Sequence, residues 1–157
     1  MVEDPHQPSL FAVGAEEDLE VWDLRSNTVA NNIAHAHNDV ILDLDFNPNK
    51  PYNIVTGSRD STIRFWDVRQ PTKALKCSTD HSHWVYQVKY NNFHDQLLVS
   101  SSSDNTAILH RVLSISSTPL EENLNEERRD EIINKNEDYQ DTVYALCWLD
   151  TWFYAAL

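Results

Sequence analysis

The chain has 157 residues, of which 41% are hydrophobic, 10% aromatic and 24% charged. This composition is typical of a folded globular domain and excludes a disordered or fibrous chain. The formal net charge of −13 argues against binding to nucleic acid and to an anionic membrane surface, and it favours protein partners, including partners with basic surfaces.

Cellular location is constrained by what the sequence lacks. The longest hydrophobic runs fall well short of the roughly 20 residues that span a bilayer, and residues 1–10 have neither the basic start nor the apolar core of a signal peptide. The two cysteines, Cys77 and Cys147, provide no disulfide framework and no paired metal-ligand spacing. We therefore expect a cytoplasmic protein without direct membrane insertion.

A repeat with a period of 44 residues runs along the chain. Trp22 and Trp66 are separated by this interval, and each of them precedes an aspartate. The same interval separates two further pairs, His37 and His81, and Asp60 and Asp104. In each copy, small polar residues lead into a polar turn that is followed by alternating apolar positions. This pattern predicts a strand, a tight turn and a second strand.

The middle copy predicts a complete four-stranded unit. Its alternating apolar residues and its turn residues place strands at 40–46, 53–58, 62–68 and 74–78. Four short antiparallel strands in about 44 residues are typical of one blade of a β-propeller. The sequence therefore predicts an all-β protein built from blades.

The repeat resembles the WD40 repeat, in which a histidine precedes an aspartate in a tight turn and a Trp-Asp pair follows six residues later. This resemblance implies a buried hydrogen-bonded tetrad of imidazole, hydroxyl, carboxylate and indole. In the middle copy the tetrad is His37, Ser58, Asp60 and Trp66, with Thr56 as an alternative hydroxyl on the same face. In the third copy it is His81, Ser102 (or Ser100), Asp104 and His110, which stands where tryptophan is expected.

The first and last copies are degraded. The first copy keeps Trp22 but has Glu16 at the position of the turn aspartate, and the last has Tyr139 at the position of the histidine. We expect a partial blade of three strands at 1–33, a blade with a complete tetrad at 34–79, a blade with an acidic insertion (114–138) at 80–138, and a partial blade at 139–157. The insertion is predicted to be solvated and partly disordered, with a short helix over Pro119 to Asn134, and to be either a plain loop or a docking segment for a basic partner.

These blades cannot close a ring. A closed propeller has about four to eight blades, so the sequence predicts a WD40 β-propeller segment: two full four-stranded blades flanked by two partial ones. As an isolated chain, such a segment would expose interblade faces and unpaired strand edges.

A second resemblance covers residues 5–157. The strings HAHNDVILDLDFNPNKPY, DHSHWVYQVKYNNFHDQLLVSSSSD and EDYQDTVYALCW resemble the C-terminal half of the EARP and GARP complex-interacting protein family. This resemblance implies a noncatalytic scaffold or adaptor that binds vesicle-tethering complexes of the EARP and GARP type. It also implies a role in endosomal recycling, endosome-to-Golgi retrograde transport and dense-core vesicle traffic, with peripheral association with the trans-Golgi network and endosomes.

Analogy with other propellers gives candidate partner-binding residues at the starts of the inner strands and before the turn aspartates. They are Asp39, Ile41, Arg59, Trp84, Tyr86, Ser103, Thr142 and Tyr144. Large aromatic residues dominate interface energetics, although the same aromatics could instead line the core.

Other functions have less support. The Trp-Asp-x-Arg strings that end at Arg25 and Arg69 resemble the box by which some WD40 proteins dock onto a cullin-RING ubiquitin ligase adaptor, which gives substrate receptor as the alternative function. We expect no enzyme, since the recurrent Ser, His and Asp set belongs to the tetrad. We also expect no metal, cofactor or small-molecule substrate, since the His-x-His pairs lack converging ligands and the two glycines form no phosphate-binding loop.

Overall fold

The computed structural model describes residues 1–117, 130–149 and 152–156. It contains β-strands and one 3-10 turn, Leu113–Ile115. The first sheet consists of β1 (Val2–Glu3), β2 (Leu10–Ala15), β3 (Asp18–Asp23) and β4 (Thr28–Ile33). The second consists of β5 (Ile41–Phe46), β6 (Asn53–Ser58), β7 (Ile63–Asp67) and β8 (Lys76–Ser78).

The third sheet consists of β9 (Val85–Tyr90), β10 (Leu97–Ser102), β11 (Ala107–Arg111) and β12 (Glu131–Asn136). Strands β13 (Ala145–Leu149) and β14 (Trp152–Ala156) pair with each other. Within every sheet, strands that are consecutive in sequence are antiparallel neighbours. The result is three four-stranded blades and a two-stranded sheet in an open array, which confirms the prediction of a propeller segment.

Burial in β5 follows its sequence. Ile41, Leu44 and Phe46 are buried, whereas Asp43 and Asp45 are partly exposed. The spacing of three between Ile41 and Leu44 breaks the two-residue alternation because the register with β6 shifts between Ile41 and Asp43. The bulge lets both ends of this inner strand bury apolar side chains.

The hydrophobic core lies in the interfaces between neighbouring blades. Leu19 and Ile33 of the first blade belong to the same cluster as Leu44, Phe46 and Trp66 of the second. A second cluster joins Val55 and Phe65 to Val85, Val88 and Leu98 of the third blade. Blade contact therefore supplies the apolar burial that a single four-stranded sheet lacks.

Two predictions differ from the structure. The first blade has four strands and not three, because Val2 and Glu3 pair with Ala12 and Phe11 as a two-residue inner strand. Residues 131–136, predicted to be insertion and, up to Asn134, helix, form the outer strand β12 by pairing with β11. The rest of the predicted helix, residues 119–129, lies outside the described residues. Within the part of the chain that the structure describes, no helix has the length and apolar character needed to cross a membrane.

Candidate functional site: two buried tetrads and an aromatic surface

The second blade contains a four-residue hydrogen-bond network. Nδ1 of His37, in the loop before β5, lies 3.0 Å from Oδ2 of Asp60 in the turn between β6 and β7. Nε2 of the same imidazole lies 2.6 Å from Oγ1 of Thr56 on β6. The indole N–H of Trp66 on β7 donates to that hydroxyl at 3.0 Å. The network joins the entering loop, two strands and their turn.

The hydroxyl of this network comes from Thr56, so the assignment to Ser58 was wrong. The Ser58 hydroxyl instead donates to the carbonyl oxygens of Asp39 and Val40 and accepts the backbone N–H of Asp60. Ser58 lies at the turn end of β6, where backbone groups of the incoming loop are within reach. Thr56, two residues deeper on the same face, meets the imidazole and the indole.

The third blade repeats the network with one substitution. Nδ1 of His81 lies 3.0 Å from Asp104, and its Nε2 lies 2.7 Å from Oγ of Ser100. Nε2 of His110 lies 2.7 Å from the same hydroxyl, in the place of the indole. The predicted Ser102 again bonds to backbone, donating to the carbonyl of His83, so the assignment to Ser102 was also wrong.

Burial and hydrogen bonds shift pKa values in both networks. Burial alone would raise the pKa of Asp60, but hydrogen bonds from His37, Thr62 and the Asn38 backbone hold it well below its ordinary value. Asp104 is held low in the same way by His81, Thr106 and Ser82. Burial lowers the pKa of His37, and burial together with the neighbouring His81 lowers that of His110 to about 4. Asp60 and Asp104 are therefore held in the ionised form, and burial disfavours the charged form of His37 and of His110.

The contacts in the third blade have the distances of a hydrolase triad, but solvent and substrate cannot reach the serine. Ser100, His81 and Asp104 are spaced like a nucleophile, a base and an orienting acid. However, Ser100 has 0% of its surface exposed and its hydroxyl also contacts His110. A substrate cannot reach this oxygen, so the arrangement serves to hold the turn and the incoming loop together.

The first blade lacks the tetrad. Its Trp22 indole donates to Glu20 at 2.8 Å, and Glu16 lies in the β2–β3 hairpin with a φ of 56°. Near this hairpin Glu17, Asp18 and His35 each place one ligand atom within 4.8 Å of the others, a grouping that sequence reasoning missed. Glu17 and Asp18 already bind the His35 ring and backbone N–H, and the imidazole is exposed to solvent.

Four of the predicted partner-binding residues lie together at the end of the blades that carries the tetrad turns. The Arg59 guanidinium lies over the Trp84 ring, 4.7 Å from its centroid. The Trp84 and Tyr86 rings are 6.4 Å apart, and those of Tyr86 and Tyr144 are 5.0 Å apart. Trp84 is 36% exposed and Tyr144 is 58% exposed. We call Arg59, Trp84, Tyr86 and Tyr144 the aromatic surface.

The other predicted partner residues are placed differently. The Ser103 backbone N–H donates to the Trp84 carbonyl, and its hydroxyl contacts Nδ1 of His83, so it supports the aromatic surface. Asp39 is exposed and Thr142 is half-buried. Ile41 is only 6% exposed and its side chain packs against Gly14 of the first blade. The prediction that Ile41 contacts a partner was therefore wrong, because its side chain fills a blade interface.

The two arginines of the Trp-Asp-x-Arg strings form local ion pairs. Arg25 binds Asp23 through two nitrogens, and Arg69 binds Asp67 in the same way. Arg69 also lies over the Tyr52 ring, 4.6 Å from its centroid. The side chains remain 75% and 58% exposed, respectively.

Blades of four antiparallel strands, with a His, hydroxyl, Asp and Trp network tying turn to loop, define a β-propeller of the WD-repeat class. The family model described as EIPR1 beta-propeller matches residues 2–110, and the chain belongs to this family. It is 37% identical over 97% of its length to the human EARP and GARP complex-interacting protein 1, and it covers 44% of that protein.

Two more distant relatives also match most of the chain. The chain is 33% identical to the EARP-interacting protein 1 of Caenorhabditis elegans over 97% of its own length and 46% of that protein. It is 27% identical to the WD repeat-containing protein DWA2 of Arabidopsis thaliana, over 98% of its own length and 45% of that protein. The chain thus spans less than half the length of these relatives.

Proposed function

We propose that the chain is part of a noncatalytic propeller scaffold that binds vesicle-tethering complexes of the EARP and GARP type. The relatives' names supply the partner class, and the aromatic surface is the structural observation that carries the proposal. In this proposal the scaffold is a peripheral cytoplasmic component at the trans-Golgi network and endosomes, and it acts in endosomal recycling, retrograde transport and dense-core vesicle traffic.

The aromatic surface has the properties of an interface hot spot. Tryptophan, tyrosine and arginine are the residues most enriched where truncation costs most binding energy. Here Arg59 lies on one face of Trp84, while Tyr86 contacts both Trp84 and Tyr144. Rings that already hold one another lose little conformational freedom when a partner binds. The surface also draws on two blades and the start of the next sheet, so one partner would contact all of them.

The test is capture of tether subunits by the chain carrying Trp84→Ala and Tyr144→Ala, singly and together. Loss of a hot-spot residue typically costs about 2 kcal/mol or more, so we expect the affinity for the tether to fall by roughly 30-fold for each single variant and further for the double variant. Phe93→Ala is the matched control, because Phe93 is 67% exposed in the turn at the opposite end of the same blade. Unchanged capture with a lowered free energy of unfolding would show that these aromatics serve the core and would reject the proposed contact.

Docking onto a cullin-RING adaptor is the second candidate function. The exposure of Arg25 and Arg69 at equivalent positions of two adjacent blades favours it, although both guanidinium groups already bind their own aspartates. Arg25→Ala with Arg69→Ala should abolish adaptor co-purification while tether capture stays unchanged. Recovery of tether without any adaptor from the unmodified chain would dismiss this candidate.

The role of the acidic insertion is tested by a deletion that is shorter than the predicted insertion. Because residues 131–136 form β12, removal of residues 118–129 spares the third blade. Unaltered tether capture by this variant would identify the segment as a plain loop, and weakened capture would identify it as a docking segment.

A further inference from the structure

The third blade has a smaller side chain than the second at the interblade position of its tetrad. Trp66 and His110 both reach the hydroxyl of their own network through a ring nitrogen. An imidazole lacks the fused six-membered ring that an indole extends beyond this contact. The substitution therefore leaves volume between the outer strands of the second and third blades.

A cleft of about 310 Å³ occupies this position. Its floor includes Phe65, Leu98 and Val112, which are buried apolar side chains of both blades. His110 and Asp80 form part of its polar wall. The volume lies at the small end of the range for ligand sites, in which apolar surface holds the ligand and a few polar groups orient it.

The direction of the hydrogen bonds in the tetrad determines what His110 presents to the cleft. Asp104 is an acceptor, so Nδ1 of His81 donates to it, and Nε2 of His81 lies beside the Ser100 hydroxyl. His110 takes the place of the Trp66 indole N–H donor, so we assign its proton to Nε2, which donates to the Ser100 oxygen. Nδ1 of neutral His110 is consequently a lone-pair acceptor, and the Asp80 carboxylate lies 3.6 Å from it.

Two acceptors at this distance repel each other unless they share a donor that lies beside both of them. The other charged groups that line the cleft are already paired, Lys76 with Asp130 and Arg111 with Glu131. Among the described side chains, Asp80 accepts from Ser78 and forms no ion pair with a lysine or an arginine. The polar end of the cleft thus has one carboxylate uncompensated by a cation.

We propose that this cleft binds a small aromatic amine of the arylethylamine type. The ring lies on the apolar floor in the volume that an indole would fill, and the ammonium group donates to Nδ1 of His110 and to the Asp80 carboxylate. This site lies between outer strands and is separate from the aromatic surface, so it goes beyond the proposed scaffold function and stands without it.

The test is titration of the full chain with three probes while amide NMR shifts are followed. We expect tryptamine to bind saturably and at least tenfold more tightly than indole, with indole-3-acetate weakest because its charge is reversed. Shifts should map to residues 76–80 and 110–112. No saturable binding, or equal affinity for all three probes, would overturn the proposal.

Two variants and one control complete the experiment. His110→Trp should fill the cleft and abolish tryptamine binding. Asp80→Asn should weaken tryptamine at least tenfold and leave indole unchanged, and since the Asp80 side chain is 37% exposed, this variant remains informative where His110→Trp fails to fold. Glu137→Gln removes an exposed carboxylate outside the cleft and should change nothing. Tryptamine affinity that is insensitive to Asp80→Asn would contradict the assigned ammonium site.

Discussion

Nδ1 of His37 lies 3.0 Å from Oδ2 of Asp60, although the two residues are 23 positions apart. The same carboxylate oxygen accepts the backbone N–H of Asn38, so one side chain holds the loop that enters the second blade against the β6–β7 turn. His81, Asp104 and Ser82 repeat this relationship in the third blade. The network thus ties the segment that leaves one blade to the β-hairpin of the next blade by hydrogen bonds.

The two hydroxyls of β6 are expected to have separable roles. Thr56→Val keeps the side-chain shape but leaves the Trp66 indole N–H and Nε2 of His37 without their shared partner, which should cost about 1–3 kcal/mol of unfolding free energy. It should also shift the Trp66 indole N–H resonance and speed its hydrogen exchange. Ser58→Ala is the matched variant: it loses bonds to backbone and should leave that resonance in place. A Trp66 resonance that moves only with Ser58→Ala would contradict the assignment.

Buried His110 should make stability depend on pH. Its pKa falls from an ordinary 6.5 to about 4, chiefly through burial, so between these values the unfolded chain binds more protons than the folded one. The stability contribution is therefore complete above pH 6.5 and is lost as the pH falls toward 4. Urea unfolding of His110→Gln, whose amide can still donate to Ser100, should show a smaller loss over this range. His94→Gln, at an exposed position, should follow the unmodified chain, and an identical pH profile for His110→Gln would refute this reasoning.

Asp45 should make stability depend on pH in the opposite direction to His110. Burial raises its pKa from 3.8 to about 6, even though Lys89 lies 3.5 Å away and the Tyr90 backbone N–H donates to it. The folded chain then holds the proton that the unfolded chain releases, so this contribution is present below pH 3.8 and is lost as the pH rises through 6. Asp45→Asn keeps an acceptor for Tyr90 and should gain stability relative to the unmodified chain between pH 4 and 7. Exposed Asp138→Asn is the control, and a constant difference across this range would exclude the effect.

The sequence predicts the blades well because a period of 44 residues repeats one local pattern, and the alternation within it determines which faces are buried. It does not choose between Thr56 and Ser58, since both lie on one face and the choice depends on how deeply His37 enters. Nor does it identify β12, because Glu131–Asn136 is a polar, exposed outer strand that forms by pairing with β11 after an interruption of the repeat. Ile41 was assigned to a partner surface by analogy with other propellers, whereas the structure buries its side chain against Gly14 of the first blade.

Gly57 is expected to resist any larger residue, because the inner strand of the next blade lies against it. A Cβ atom at this position would lie 2.8 Å from Cγ1 of Val85 and 3.1 Å from Cγ1 of Val88. Both valines are fully buried, so neither can move aside without opening the interface between the second and third blades. Gly57→Ala should therefore lower the free energy of unfolding by about 1–3 kcal/mol, measured by urea denaturation. Adding Val85→Ala provides the missing space. The double variant should therefore lose less free energy of unfolding than the two single variants lose in sum. Strict additivity of the two substitutions would show that the close approach of these blades is not what requires glycine here.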